Sequence, residues 1–202
     1  RRNDFPAALG YFERAEKKSE NHTEATLMHA WTLARVGEYD EAESKLRDLL
    51  SDPLWGSRAW HAFGELRRRQ GDFRDAYENL LSALRRYRDA PVSEALISEA
   101  YAEMARAWAD RYGWDHRNVR KYIGRAEEKG DPDSVAYHLV RAQYFMERRR
   151  ESLSRAATEF ERVLQKEPYH CDVIEHLLDI YDELDRESDY DRVRDLDDKH
   201  CD

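Results

Sequence analysis

The residues that most invite a chemical reading lie toward the end of the 202-residue chain. His170, Cys171, His176, His200 and Cys201 bring together imidazole and thiol, the donor types of a zinc site. Their arrangement speaks against one, because His170 and Cys171 are adjacent and no spacing among them matches a closed tetrahedral set. The many carboxylates of the same region lack the central glycine and alternating oxygens of a calcium loop. No glycine-rich phosphate loop, H-E-x-x-H, C-x-x-C or nucleophile elbow occurs. No catalytic residue, metal or cofactor is therefore expected. The lone His61 and His138 read as groove or surface residues. The runs Arg67–Arg69 and Arg148–Arg150 fall where a helix ends and cations offset its dipole.

The elements that would carry these residues are helices. The chain is 41% hydrophobic and 38% charged, with only eight Gly and five Pro, too few chain breakers for an all-β protein. No run approaches the ~18 apolar residues of a membrane span. Residues 1–170 hold thirty acidic and thirty basic side chains, whereas residues 171–202 hold thirteen and four and supply the whole net charge of −9. A basic surface for nucleic acid is absent, and the acidic end repels both phosphate and anionic membranes. Neither nucleic acid nor membrane is expected as a partner. A charged helical chain of this size needs no disulfide staple, so Cys171 and Cys201 are expected as reduced thiols in an intracellular, cytoplasmic setting, with pairing as the alternative.

Self-similarity organises the chain at a period of thirty-four. Asn3–Ala15, Gly37–Leu49 and Gly71–Ala83 align at that displacement. An aromatic recurs as Phe5, Tyr39 and Phe73, a small residue as Ala8, Ala42 and Ala76, then Phe12, Leu46 and Leu80, then Ala15, Leu49 and Ala83. Offsets of three, four and three place these on one helix face. Gly37 and Gly71 mark the preceding turns, each followed by an acidic residue suited to a helix start. A partner helix precedes each turn, with Thr26, His29, Ala30 and Leu33 inward in one and Trp60, Phe63, Gly64 and Arg67 in the next. The small Ala30 and Gly64 let the two helices of a hairpin approach closely.

This pattern resembles the tetratricopeptide repeat. Trp60, Phe63, Gly64, Gly71, Asp72, Phe73, Ala76, Leu80 and Ala83 match the family's W-x2-L-G-x2-Y, G-D turn and A-x3-F-x2-A nearly position by position. Later repeats are more degenerate: Tyr101, Met104, Ala105 and Trp108 pair with Val119, Ile123 and Ala126; Tyr137, Val140, Arg141 and Tyr144 with Leu153, Ala156, Phe160 and Val163; Ile174, Leu177, Leu178 and Tyr181 with Tyr190 and Val193. Pro53, Pro91, Pro132 and Pro168 punctuate the array. The expected organisation is one domain over residues 1–202. It comprises a leading half repeat at 3–22 and repeats at about 23–56, 57–90, 91–131, 132–168 and 169–202. The opening half repeat and the missing initiating Met suggest a fragment of a longer protein. The resemblance implies an all-α, right-handed superhelical solenoid of antiparallel helix hairpins whose concave face is made mainly by first helices.

Carried along that register, the groove set is Leu27, Met28, Trp31, Arg35, Arg58, His61, Glu65, Arg68, Arg69, Glu103, Arg106, His138 and Phe145. Its chemistry grades from apolar through basic and mixed to apolar and acidic. Leu27, Met28 and Trp31 are surplus to the hairpin core, and an apolar patch in a groove suggests a partner segment, with cover of Trp31 by a missing upstream helix or the chain's own end as the alternative. The resemblance implies a non-catalytic scaffold binding a protein or peptide. Chaperone-tail capture is not expected, because Leu27, Trp31, Ala62, Glu99 and Glu103 replace the Lys, Asn and Arg such domains use. The alternatives are a regulatory segment of a larger signalling protein, such as a nucleotide-switch ATPase, and self-assembly through open solenoid ends. In the scaffold reading, Trp31→Ala or Arg69→Glu is expected to abolish partner capture and leave melting unchanged.

Overall fold

The structure is a computed structural model that describes residues 5–18, 23–90, 92–147 and 152–201. Asn3 and Asp4 of the leading half repeat, Pro91 and the Arg148–Arg150 run lie outside the described residues. Eleven α-helices follow one another among the described residues: α1 (Phe5–Lys18), α2 (Thr23–Val36), α3 (Tyr39–Leu49), α4 (Gly56–Arg69), α5 (Phe73–Tyr87), α6 (Glu94–Tyr112), α7 (Arg117–Lys129), α8 (Val135–Met146), α9 (Leu153–Lys166), α10 (Cys171–Glu183) and α11 (Glu187–His200).

Each hairpin forms because its two helices carry apolar residues on one face only. In α5 that face is Ala76, Leu80, Ala83 and Tyr87, all buried, with charged side chains opposite. The turn into α5 is closed by Gly71 at φ 80°, while the Asp72 amide reaches back to the Arg67 carbonyl at 2.9 Å. Asp72 then accepts from the Asp75 amide and caps α5. Gly37 turns the preceding hairpin in the same way. In the last hairpin the left-handed position is held by Asp185 at φ 53°, which hides the glycine signal from a sequence search.

Within the α4–α5 hairpin the helices approach closely at Gly64, where an added Cβ would stand 2.5 Å from Leu80 Cγ. Arg67, beside it in the inward set, packs its guanidinium 5.1 Å from the Phe63 ring centre and donates to Glu43 at 2.8 Å. Its head thus finds a partner on α3 rather than water.

The hairpins α2–α3, α4–α5, α6–α7, α8–α9 and α10–α11 stack in chain order, and α1 packs on α2. Glu16 of α1 holds Lys45 of α3 at 3.0 Å and lies 3.1 Å from His29 of α2. Core side chains run from hairpin to hairpin: Met104, Val119 and Ile123 bury with Tyr137 and Val140 of the next pair, and Phe160 and Val163 with Ile174 and Leu177. First helices α2, α4, α6 and α8 stack directly on one another, whereas α10 packs on α9 and α11.

Two expectations are corrected. Leu27 is not surplus to the core. It is 7% exposed and packs with Ala30, Leu33, Leu46 and Phe63, because the neighbouring hairpin covers its side of α2. The cysteines are not free thiols: Cys171, opening α10, is disulfide-bonded to Cys201 at the end of α11, with Cα atoms 5.5 Å apart. The antiparallel fold of that hairpin brings residues thirty apart in sequence to one end. The expectation of a reducing compartment rested on free thiols, and this pairing withdraws that support.

Candidate functional site

First helices present their inward faces to a common trough, and the repeat period sets which residues meet there. Trp31 on α2 donates its indole N–H to Glu65 on α4, thirty-four residues on. Arg68 on α4 donates to Glu103 on α6 at 2.7 Å, and Arg106 on α6 to Gln143 on α8 at 3.0 Å. Polar residues one repeat apart thus form rungs between successive first helices. Arg69 completes the first rung by donating to Glu65 at 2.9 and 3.1 Å, with Arg35 Nε 3.8 Å from the same carboxylate. Arg106 also donates to Glu103, at 2.5 Å, and Arg68 to Asp110 at 2.8 Å. The basic stretch expected in the groove is therefore largely neutralised within the chain.

These rungs flank a broad part of the trough, a region of about 820 Å³ that also receives Leu139, Phe160 and His176 from the later hairpins. Burial pushes the Glu103 carboxyl up, but the Arg106 and Arg68 guanidiniums outweigh it and hold that group well below the usual carboxylate range.

Nearer the helix starts, a second cavity of about 200 Å³ opens between α2, α4 and α6. Its walls are Leu27, Met28 and Trp31 from α2, Trp55, Arg58, His61, Ala62 and Glu65 from α4 and the turn before it, and Ser93, Leu96 and Glu99 at the start of α6; Glu24 stands at the rim. Arg35 and Arg58 lie over the Trp31 and Trp55 rings, 4.5 and 4.7 Å from their centres. His61 is buried, with Nδ1 3.1 Å from the Tyr87 hydroxyl. Burial lowers its pKa against the pull of Glu65 and Glu103, so the ring is neutral at pH 7. Glu99 behaves oppositely to Glu103. Burial, with like charge from Glu65 and Glu103, pushes its carboxyl up to about 7 against the weaker pull of Arg35 and Arg106.

Among the expected groove residues, Leu27, Met28, Trp31, Arg58, His61 and Glu65 meet at this cavity, and Arg35, Arg68, Arg69, Glu103 and Arg106 at the larger trough. His138 and Phe145 lie elsewhere. His138 is 2% exposed, with Nδ1 2.8 Å from Glu159 on α9, so it joins helices α8 and α9 rather than facing a groove. His61, although at the cavity, is likewise closed off rather than a surface residue. Phe145 lines a shallow pocket with Arg141, Arg155, Thr158 and Glu159. The groove set read from the sequence missed Trp55 and Ser93, which sit in the turns before α4 and α6, and Leu96 in the first turn of α6. A Trp two residues after Pro53 was the available signal, an aromatic before a first helix that packs on the α2–α4 core with one side and borders the cavity with the other.

Residues 1–58 match the tetratricopeptide repeat family. Among solved structures, the C-terminal part of a TPR repeat-containing protein from Cytophaga hutchinsonii superposes with a TM-score of 0.52 at 14% identity, over 98% of this chain and 76% of that one. The fold is a tetratricopeptide-like helical repeat. YrrB, described as a TPR protein with an unusual peptide-binding site, aligns at 16% identity and a TM-score of 0.45 over 94% of both chains. No curated protein matches the chain. Among the described residues of this repeat array, no group of three or more His, Cys, Asp or Glu is placed to hold a metal ion. None of the described helices is long and apolar enough to cross a membrane.

Proposed function

We propose that this helical-repeat chain is a non-catalytic protein-interaction module that takes a partner peptide or helix along the inner face of α2, α4 and α6. The observation that supports this reading is the cavity at their starts, where Met28, Trp31, Trp55 and Leu96 remain partly exposed around a concave opening. Apolar and aromatic side chains grouped in a concavity are the usual anchors of a bound segment. Arg68, donating to Glu103, ties α4 to α6, and Arg106, donating to Gln143, ties α6 to α8, which supports a pre-shaped inner face.

Panning a random-peptide library against the folded chain tests the proposal. Selected peptides are expected to lose binding to Met28→Arg and to retain it with Tyr11→Arg, a change on the exposed face of α1. Peptides indifferent to Met28→Arg and Leu96→Arg overturn the proposal.

A further inference from the structure

We infer, building on the binding reading above, that the cavity between α2, α4 and α6 receives a basic side chain, arginine or lysine, of the bound segment. Its aliphatic stem lies against Met28, Trp31 and Leu96, and its cationic head reaches Glu99 and Glu24.

Size is the first ground. At about 200 Å³ the cavity holds the share of roughly six or seven waters, room for one long side chain rather than a folded segment. Its walls suit a residue with an apolar stem and a charged tip, because Leu27, Met28, Trp31, Trp55 and Leu96 line it together with the carboxylates of Glu24 and Glu99.

Charge is the second ground. Of the three carboxylates, Glu65 is already taken up by Arg69, Arg35 and Trp31. Glu24 and Glu99 make no hydrogen bond or ion pair with the described residues, and neither does Arg58 make an ion pair, since its guanidinium lies over Trp55. Two unpaired carboxylates thus face one unpaired guanidinium, so the free groups of the opening leave one negative charge in excess once Glu99 is ionised. An acidic partner residue finds only Arg58, already stacked on Trp55, against two carboxylates, and a purely apolar one seals Glu99 away from water without a counter-ion.

The groups facing Glu99 are Arg35 from α2, Glu65, Arg58 and the neutral His61 from α4, Tyr87 from α5, and Glu103 and Arg106 from its own helix. None pairs with it, and its carboxyl titrates at about 7. A seated cation favours the ionised form, so binding expels a proton and tightens as pH rises from about 5.5 to 8.

The test uses fluorescein-labelled degenerate heptapeptide pools whose central residue is arginine, its uncharged isostere citrulline, or glutamate. By fluorescence polarisation at pH 8 the arginine pool is expected to be retained at least tenfold better than the other two, and that preference shrinks at pH 5.5. Glu99→Gln is expected to remove most of it. Glu24→Gln, at an exposed position, is expected to remove part while the melting temperature stays unchanged. Equal retention of the arginine and citrulline pools, a preference for glutamate, or indifference to both variants overturns the basic-residue assignment and leaves groove binding intact. Retention of no pool at all overturns both readings.

Discussion

Replacing Gly64 with alanine asks whether α4 and α5 truly touch where the sequence places its smallest residue. On an isolated helix the change is favourable by about 1 kcal/mol, since alanine loses less backbone entropy than glycine. In this hairpin the new methyl would stand 2.5 Å from Leu80 Cγ, 2.8 Å from its Cδ2 and 3.2 Å from its backbone nitrogen. Ordinary carbon contacts sit at about 3.5–4.0 Å, so the helices must part by roughly an ångström or Leu80 must leave its rotamer. Leu80 is fully buried, and overpacking of this kind costs about 1–3 kcal/mol. The crowding outweighs the propensity gain by about 1 kcal/mol. Gly124 in α7 is the control, because a Cβ there meets nothing within 4 Å and the full gain of up to about 1 kcal/mol remains. The two variants should therefore differ by about 2 kcal/mol, or roughly 4–8 °C in Tm for a chain of this length. Scanning calorimetry reads the difference directly. Leu80→Ala in the Gly64→Ala background should cost less than Leu80→Ala alone, since the methyl enters the space that the leucine vacates. A Gly64→Ala protein that melts at or above Gly124→Ala refutes the close-contact argument.

Three further outcomes follow from the same geometry. Arg69→Glu sets a second carboxylate beside the buried Glu65, so it is expected to lower Tm by several degrees, contrary to the sequence expectation of unchanged melting; an unaltered melt would show that Glu65 is held by Trp31 and Arg35 alone. Glu99, with its carboxyl raised from 4.5 to about 7, binds its proton more tightly folded than unfolded, so its contribution to stability falls as pH climbs through that window. Glu99→Gln should thus melt higher than the parent at pH 8 and converge with it near pH 4.5, and a gap that is constant with pH would contradict this. Cys171→Ser opens a loop with a sequence separation of 30, worth about 3–4 kcal/mol in the chain-entropy account, and is expected to speed proteolysis within α11 ahead of the other helices. Cleavage elsewhere first would refute the local role of the bond.

Much of the fold was legible because a hairpin is a local object. Offsets of three and four in Phe73, Ala76, Leu80 and Ala83 require a helix face, and Gly71 followed by Asp72 requires a turn, whatever lies around them. The later hairpins were readable despite Arg141, Leu178 and Asp185 standing where the better repeats have small residues or glycine, since burial of Tyr137, Val140, Ile174 and Leu177 kept the period. The groove was half legible. Register alone brought Leu27, Met28, Trp31, Arg58, His61 and Glu65 to one cavity. It could not report that Arg68 and Arg106 spend their charge on Glu103, and Arg69 on Glu65, because those partners lie on another helix or across a turn of the same one. Nor could it separate His138, closed against Glu159, from a groove residue one position away.

By itself, then, the sequence determined the helices, their antiparallel pairing and the order in which they stack, since each depends on residues within one repeat of each other. Tertiary structure alone decided which charges remain unpaired, how far Glu99 is drawn from its usual titration, and that Cys171 reaches Cys201. Those properties depend on distances between side chains of different helices and on the water excluded around them, neither of which is encoded by spacing along the chain.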